Sequence, residues 1–386
     1  MQTIGQSSKL ESLLYGEDDI YHWSETERLE FQFDVIRDAF KFHYDNCLAF
    51  RRFCSSESIS PASIRSPEDI IKIPLIPSSM FKSLEIKSVP EERITKVCRS
   101  SGTRGNVSRV PRDTSSLERF LGSIRISADQ ILGIRNEAQF FNFGPDTSEA
   151  GDVWFPYVMS LLGLLRPSDN YIINDVFYAK DLVEDLLRLP STTQPFLIGP
   201  PIFVSYFMHY LEEEGITLDL DSRYGFVVTG GGWKTFSNEQ ISREEFISRC
   251  GKYIGVNDCR HIRDAYNMVE LNTVIFECEL GVKHLPPWLV VEALDPENLT
   301  PRPSNEMGLL GFYDPLPTSY PGFILSDDFG RVNKGACDCG RSGPTMEFSR
   351  RVALVEGRGC ALTMDRNVRV EKDIRVSRSA GLRASQ

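Results

Sequence analysis

Residues 224–234 read Tyr-Gly-Phe-Val-Val-Thr-Gly-Gly-Gly-Trp-Lys, an apolar run that stops at three consecutive glycines. The run Tyr224 to Val228 has the β-branched and aromatic content of a strand. Glycines at the carboxyl end of a strand let a flat ligand lie against bare backbone, which is where ligands sit in open α/β sheets. The spacing is not G-x-G-x-x-G, so a nicotinamide enzyme is not supported. A tight turn with Trp233 as a core plug fits the same residues.

Working outward, Gln139 to Phe143, Tyr171 to Tyr178 and Phe196 to Ile198 are further short β-rich runs separated by helical stretches. That alternation predicts an α/β sheet with helical crossovers. From Asn272 the style changes to NTVIFECEL, PWLVVEAL, MGLLGFY and GFILSDD, strands closely spaced by Gly and Pro turns. These predict an antiparallel, β-rich subdomain over about 271–340, giving an α/β (α+β) fold overall. Upstream, Ser24-x-x-Glu27 is a capping box. Leu29, Phe33, Ile36, Phe40 and Tyr44 follow it at helical spacing, so this stripe is expected in the core. Ser and Pro recur from 54 to 90 and predict short turns and helix starts on a larger unit. The large domain is read as 1–340, with a hinge near Arg341 and a short, Arg-rich C-terminal segment over 341–386.

The composition excludes several classes. A length of 386 residues is enough for two or three structural units and a large core. Hydrophobic residues at 41% and charged residues at 25% are globular values. A net charge of −11 repels phosphate backbones, so a nucleic-acid partner is not expected. The N-terminus lacks the basic and apolar segments of a secretory signal, and runs such as Val158 to Leu165 are too short for a membrane span. A cytoplasmic protein is expected. Nine scattered cysteines fit reduced thiols better than a disulfide framework. His22, His43, His209 and His261 form no zinc-protease pattern, and no G-x-S-x-G elbow is present.

Three other stretches carry chemistry. Ser100-Ser101-Gly102-Thr103-Arg104-Gly105-Asn106-Val107-Ser108 combines small residues, hydroxyl donors and a cation, which suits a polyphosphate. It lacks the Lys-Ser/Thr ending of a Walker A loop, and a Ser/Gly surface turn fits it equally. Asp264-Ala265-Tyr266-Asn267-Met268-Val269-Glu270 places an aromatic that can stack on a base four residues before a carboxylate that can hold magnesium. Ser326-Asp327-Asp328-Phe329-Gly330 puts a carboxylate at a strand end, able to accept from two ribose hydroxyls or to close a turn.

SSGTRGNVS, TGGGWK, DAYNMVE, the SDDFG segment and the closing CDCGR occur in an order that resembles the adenylate-forming superfamily. Within it the chain looks most like the LuxE-type acyl-protein synthetases (long-chain-fatty-acid protein ligases), with phenylacetate-CoA ligases as cousins. The match runs from about Pro74 onward. The resemblance implies that ATP activates a carboxylic acid, expected to be a fatty acid, as an acyl adenylate with loss of pyrophosphate. It also implies roles. Ser100, Ser101, Gly102, Thr103 and Gly105 would hold phosphates, and Gly230, Gly231 and Gly232 would border the adenine. Tyr266 would stack on it, Glu270 would bind Mg2+, and Asp328 would take the ribose hydroxyls. Lys234 and a hinge arginine, Arg341 or Arg350, would complete the catalytic set.

Two departures from the superfamily stand out. Its usual C-terminal domain of roughly a hundred residues is shortened here to the segment after Arg341, and Lys372 is the only lysine there. Short tails resemble the LuxE-type members, in which a cysteine near the C-terminus receives the acyl group. Arg358-Gly359-Cys360 supplies one, in a cationic neighbourhood that favours thiolate and between glycines that permit movement. A buried structural cysteine is the alternative. Cys278, His284, Cys337 and Cys339 form a Cys3His set suited to closed, structural Zn2+, or to ordinary core positions. The expected activity is acyl transfer to Cys360 and onward delivery to an acyl reductase or acyl-carrier partner. Transfer to coenzyme A or a carrier protein, and a catalytically silent nucleotide- or acyl-binding module, are the competing functions.

Overall fold

A computed structural model describes residues 8–101, 107–233, 239–351 and 369–370. The described residues divide into two compact units. The first takes those within Met1–Gly133 and Ala265–Gly357, the second those within Ile134–Asp264 and Arg358–Gln386.

The first unit is organised by a sheet whose strands run in the order Lys283–His284, Thr345–Arg351, Phe323–Asn333, Met307–Tyr313, Val290–Leu294. Each neighbouring pair is antiparallel, as the Gly- and Pro-punctuated runs predict. Phe323–Asn333 alternates buried and half-buried positions along most of its length, the period of a strand with one face on the core. Ile76–Pro77 adds a short parallel strand beside it. The helix Glu25–Asn46 starts at the predicted capping box: Glu27 N–H donates to Ser24 Oγ, and the Glu27 carboxylate accepts from Ser24 N–H. Ile36 and Phe40 of the expected stripe are fully buried. Leu29, Phe33 and Tyr44 are only half-buried, because the buried face is centred on Gln32, Val35, Ala39 and His43. Two polar residues lie on that face because each has distant partners, such as the Leu289 carbonyl for Gln32 Nε2 at 3.1 Å. The Ser/Pro segment forms short 3-10 turns, Pro61–Ser63 and Pro67–Lys72, each with proline in its first turn.

The strands Ile94–Arg99 and Arg109–Asp113 pair antiparallel and form the stem of the Ser/Gly loop. Asp113 then caps the helix Thr114–Leu132, accepting from Ser116 N–H at 2.9 Å, and Gly133 ends it with φ 63°.

The second unit holds the predicted parallel sheet. Ser168–Asn170, Ala138–Asn142, Gln194–Gly199 and Phe226–Gly230 lie side by side in that order, all parallel. Helices Ala179–Arg188, Pro201–Glu213 and Arg243–Arg249 contribute Leu182, Phe207 and Phe246 to one continuous core with Phe141, Leu197 and Val227. The run from Tyr171 to Tyr178 is not one strand. It is a hairpin, Ile172–Ile173 with Val176–Phe177, turned by Asn174 and Asp175 at φ 50° and 59°. Adjacent Asn and Asp tolerate the left-handed region that such a turn requires.

Candidate active site

In the first unit, the stem of the Ser/Gly loop is closed by two bonds. Ser100 N–H donates to the Ser108 carbonyl at 3.1 Å, and Ser108 N–H donates to Ser100 Oγ at 3.0 Å. Ser101 follows, buried. Gly102, Thr103, Arg104 and Gly105 lie outside the described residues.

Tyr266 ends the strand Ile262–Tyr266, and Ala265 and Tyr266 pair with Phe276 and Ile275. Its ring stacks on Phe312 at 5.8 Å and 13°, with Phe348 tilted at 5.9 Å. Its hydroxyl donates to Asp328 Oδ2 at 2.6 Å. The two residues named for base and sugar are therefore in direct contact, 62 positions apart in sequence. Asp328 N–H donates to the Ser326 hydroxyl at 3.1 Å, and Asp328 lies in the middle of Phe323–Asn333, not at a strand end as the sequence suggests, because the strand continues through Gly330 to Asn333.

Glu270 lies in the turn after Tyr266, buried. That turn is heavily tied. Arg112 Nη2 donates to the Val269 carbonyl at 2.7 Å, Tyr320 Oη donates to the Glu270 carbonyl at 3.2 Å, and Asn267 Nδ2 donates to the Leu271 and Thr273 carbonyls.

Arg341 and Arg350, the two arginines expected near a hinge, occupy different places in the structure. Arg341 is held at another corner, Nη1 donating to Glu279 at 2.6 Å and Nη2 to the Gln130 carbonyl at 3.2 Å. Arg350 stands opposite Phe329 in the strand register, and Arg351 stands opposite Asp328. The sequence reading did not single out Arg351. An irregularity in the pairing at Phe329/Gly330 sets which of the two adjacent arginines stands opposite Asp328 in the register, and no motif spacing records it.

The second Cys/His constellation does converge. One ligand atom from each of Cys278, His284, Cys337 and Cys339 lies within 4.8 Å of all the others, and Cys339 Sγ is 3.2 Å from His284 Nε2. Cys278 and His284 are fully buried, and Nδ1 of His284 is buried with no hydrogen-bond partner among the described residues. Burial, then the nearby Arg341 cation, pulls the imidazole down to about 4, so it is neutral at pH 7. Three thiols and a neutral imidazole, drawn together by Lys283–His284 pairing with Thr345–Arg351, match a tetrahedral zinc donor set.

In the second unit, the strand Phe226–Gly230 delivers the glycines. Thr229 Oγ1 donates to Asp264 Oδ1 at 2.9 Å, which ties the strand end to its neighbour. Gly231 and Gly232 take φ 78° and 67°, conformations open to glycine at little cost. A Cβ on Gly231 would stand 3.1 Å from the Phe155 ring, so the bare backbone also leaves room for that side chain. Gly232 and Trp233 line a cavity of about 220 Å3 with Thr229, Arg243, Ile262 and Asp264. Trp233 packs edge-on against Phe246 at 6.2 Å. Of the aromatic residues able to line an acid pocket, Phe141, Phe143 and Trp154 are buried core. Lys234 and Cys360 lie outside the described residues.

Comparison with known proteins closes the question of family. The model of the family described as acyl-protein synthetase, LuxE, matches residues 1–369. The chain belongs to the LuxE acyl-protein synthetase family. It is 36% identical over 360 residues to the long-chain-fatty-acid–luciferin-component ligase of Aliivibrio fischeri, covering 93% of this chain and 94% of that one. It is 31% identical over 374 residues to the ligase of the same name from Vibrio harveyi, covering 96% and 97%. Among solved structures it is similar to 2-hydroxyisobutyryl-CoA ligase in its postadenylation state with 2-HIB-AMP, at TM-score 0.64 and 16% identity, over 86% of this chain and 71% of that one. That likeness fixes the fold as the adenylate-forming one. As a LuxE-family acyl-protein synthetase, the chain is an ATP-dependent acid–thiol ligase. No described helix is long and apolar enough to cross a membrane.

Proposed function

We propose that this chain activates a long-chain fatty acid with ATP and transfers the acyl group to its own Cys360. The support is the family match over residues 1–369, in which the nucleotide motifs and Cys360 all fall. In the first step a carboxylate oxygen attacks the α-phosphorus, the bond to pyrophosphate breaks, and pyrophosphate leaves. In the second the Cys360 thiolate attacks the acyl carbonyl and AMP leaves.

In the first unit, Ser100 and Ser101 offer hydroxyls to phosphate, with Gly102, Thr103 and Gly105 continuing the loop. Tyr266 offers its ring to the base, and Asp328 its carboxylate to the ribose hydroxyls. The Tyr266 hydroxyl on Asp328 orients that carboxylate before any nucleotide arrives. Glu270 would hold Mg2+, which bears charge on the phosphates. Arg351, opposite Asp328, joins Arg341 and Arg350 as a candidate for the hinge arginine. In the second unit, Gly230 to Gly232 offer bare backbone to a flat ligand, with Lys234 next in sequence. The Cys278, His284, Cys337 and Cys339 set would hold a structural Zn2+. The acyl group on Cys360 is then available to an acyl reductase or carrier partner in the cytoplasm.

ATP–pyrophosphate exchange with a panel of fatty and aromatic acids tests the activation step. Exchange that requires Mg2+ and a long-chain acid supports the reading. Absence of exchange with every acid overturns it in favour of a silent binding module.

A further inference from the structure

Three consecutive backbone carbonyls, those of Val269, Glu270 and Leu271, are each engaged by a buried side chain from elsewhere in the first unit. Arg112 Nη2 donates to Val269 at 2.7 Å and reaches Leu271 at 3.5 Å, and Tyr320 Oη donates to Glu270 at 3.2 Å. Arg112 Nη1 also donates to Asn272 Oδ1. Asn272 is fixed in turn by its Nδ2 on the Ser116 carbonyl and by its N–H on Asp314, both at 2.8 Å. The Arg112 guanidinium lies over two rings, 5.5 Å from that of Tyr320 and 5.8 Å from that of Phe120, and the residue is fully buried. Burying a guanidinium costs several kcal/mol unless its donors are used. Here the Nη donors go to the turn that carries Glu270.

Arg112 belongs to the strand Arg109–Asp113, which leaves the Ser100–Ser108 stem. One residue thus fastens the turn of Glu270 to the strand that supports the Ser/Gly loop. A planar fork with fixed donor directions holds two carbonyls and an amide oxygen at set angles, which the compact ammonium of a lysine on its flexible stem does not reproduce.

We infer that Arg112 and Tyr320 are positioning residues for Glu270, setting its carboxylate where a divalent cation on ATP is bound. This rests on the proposed role of Glu270 in holding Mg2+. Neither side chain touches the reacting atoms. They act through the backbone of residues 269–271.

The test compares Arg112→Lys, Tyr320→Phe, Glu270→Gln and the double variant Glu270→Gln/Arg112→Lys in the full chain. Binding of Mn2+ in the presence of α,β-methylene-ATP is read by loss of the free-ion electron paramagnetic resonance signal, alongside the Mg2+ dependence of pyrophosphate exchange. Arg112→Lys and Tyr320→Phe are each expected to weaken Mn2+ binding by about fivefold, the scale of one lost hydrogen bond. KM for the acid should stay unchanged. Glu270→Gln weakens Mn2+ binding more, and Arg112→Lys adds nothing in that background, because its route is through the carboxylate. Should Arg112→Lys fail to fold, Tyr320→Phe decides alone. Unchanged Mn2+ binding in the positioning variants, with weakened binding in Glu270→Gln, overturns the inference and leaves the role of Glu270 standing. Unchanged binding in Glu270→Gln itself removes that role and the inference with it.

Discussion

Tyr266 donates its phenolic hydrogen to Asp328 at 2.6 Å, so the aromatic that ends one strand and the carboxylate on another form a single unit. Asp328 is 3% exposed and Tyr266 8%, so the bond is shielded from water. The stack of the ring on Phe312 does not involve the hydroxyl.

Tyr266→Phe therefore separates the two contributions. The stack survives and the orientation of Asp328 is lost. KM for ATP is expected to rise about five- to tenfold, the scale of one net hydrogen bond. The kcat at saturating ATP should change little. Steady-state exchange kinetics check it, and an unchanged KM would detach Asp328 from ribose binding.

The Cys/His corner predicts a metal. Protein purified without chelator should carry about one zinc per chain by atomic emission, as a four-ligand structural site implies. Cys337→Ser removes a half-exposed ligand and leaves the buried Cys278 and His284 in place. It should lose most of the zinc and several degrees of melting temperature. Zinc at background level in the parent protein would return these residues to ordinary packing.

His43 makes folding sensitive to acid. The imidazole is fully buried, Nδ1 accepting from the Ser88 hydroxyl at 2.7 Å and Nε2–H donating to the Pro317 carbonyl at 3.1 Å. Burial holds it down to about 3, partly offset by the Pro317 carbonyl, with Arg119 and Asp113 acting in opposite directions. The unfolded chain binds the proton near pH 6.5 and the folded one does not, so the penalty begins below 6.5 and grows as pH falls toward 3. Between pH 7 and pH 5 it amounts to about 2 kcal/mol. Urea unfolding at the two pH values should show that loss, and His43→Gln should show a flatter dependence. Equal pH dependence in the two proteins would remove His43 as the cause.

Local signals in the sequence were enough where the physics is local. The Ser24/Glu27 box and the strand begun by GFILSDD depend on residues within a turn or two of one another. The segments expected to bind nucleotide stand out in the sequence by residue type, and the structure places Tyr266, Glu270 and Asp328 in one unit. What was not legible depends on distant partners. His43 reaches a carbonyl 274 positions away, and Arg112 reaches the Glu270 turn 157 positions on. An isolated arginine in a short strand carries no pattern to announce such partners. The choice between Arg350 and Arg351 opposite Asp328 turns on one irregularity of register, a property of the paired strands and not of either sequence segment.

Intact-protein mass spectrometry after incubation with ATP, Mg2+ and a panel of fatty acids tests the central claim most directly, with Cys360→Ser in parallel. The account predicts an added acyl mass on the parent chain that maps to Cys360 and is released by hydroxylamine. In Cys360→Ser that thioester is absent, while pyrophosphate exchange continues. An acyl thioester that forms on coenzyme A in the Cys360→Ser protein, with no adduct on the parent chain, would contradict it.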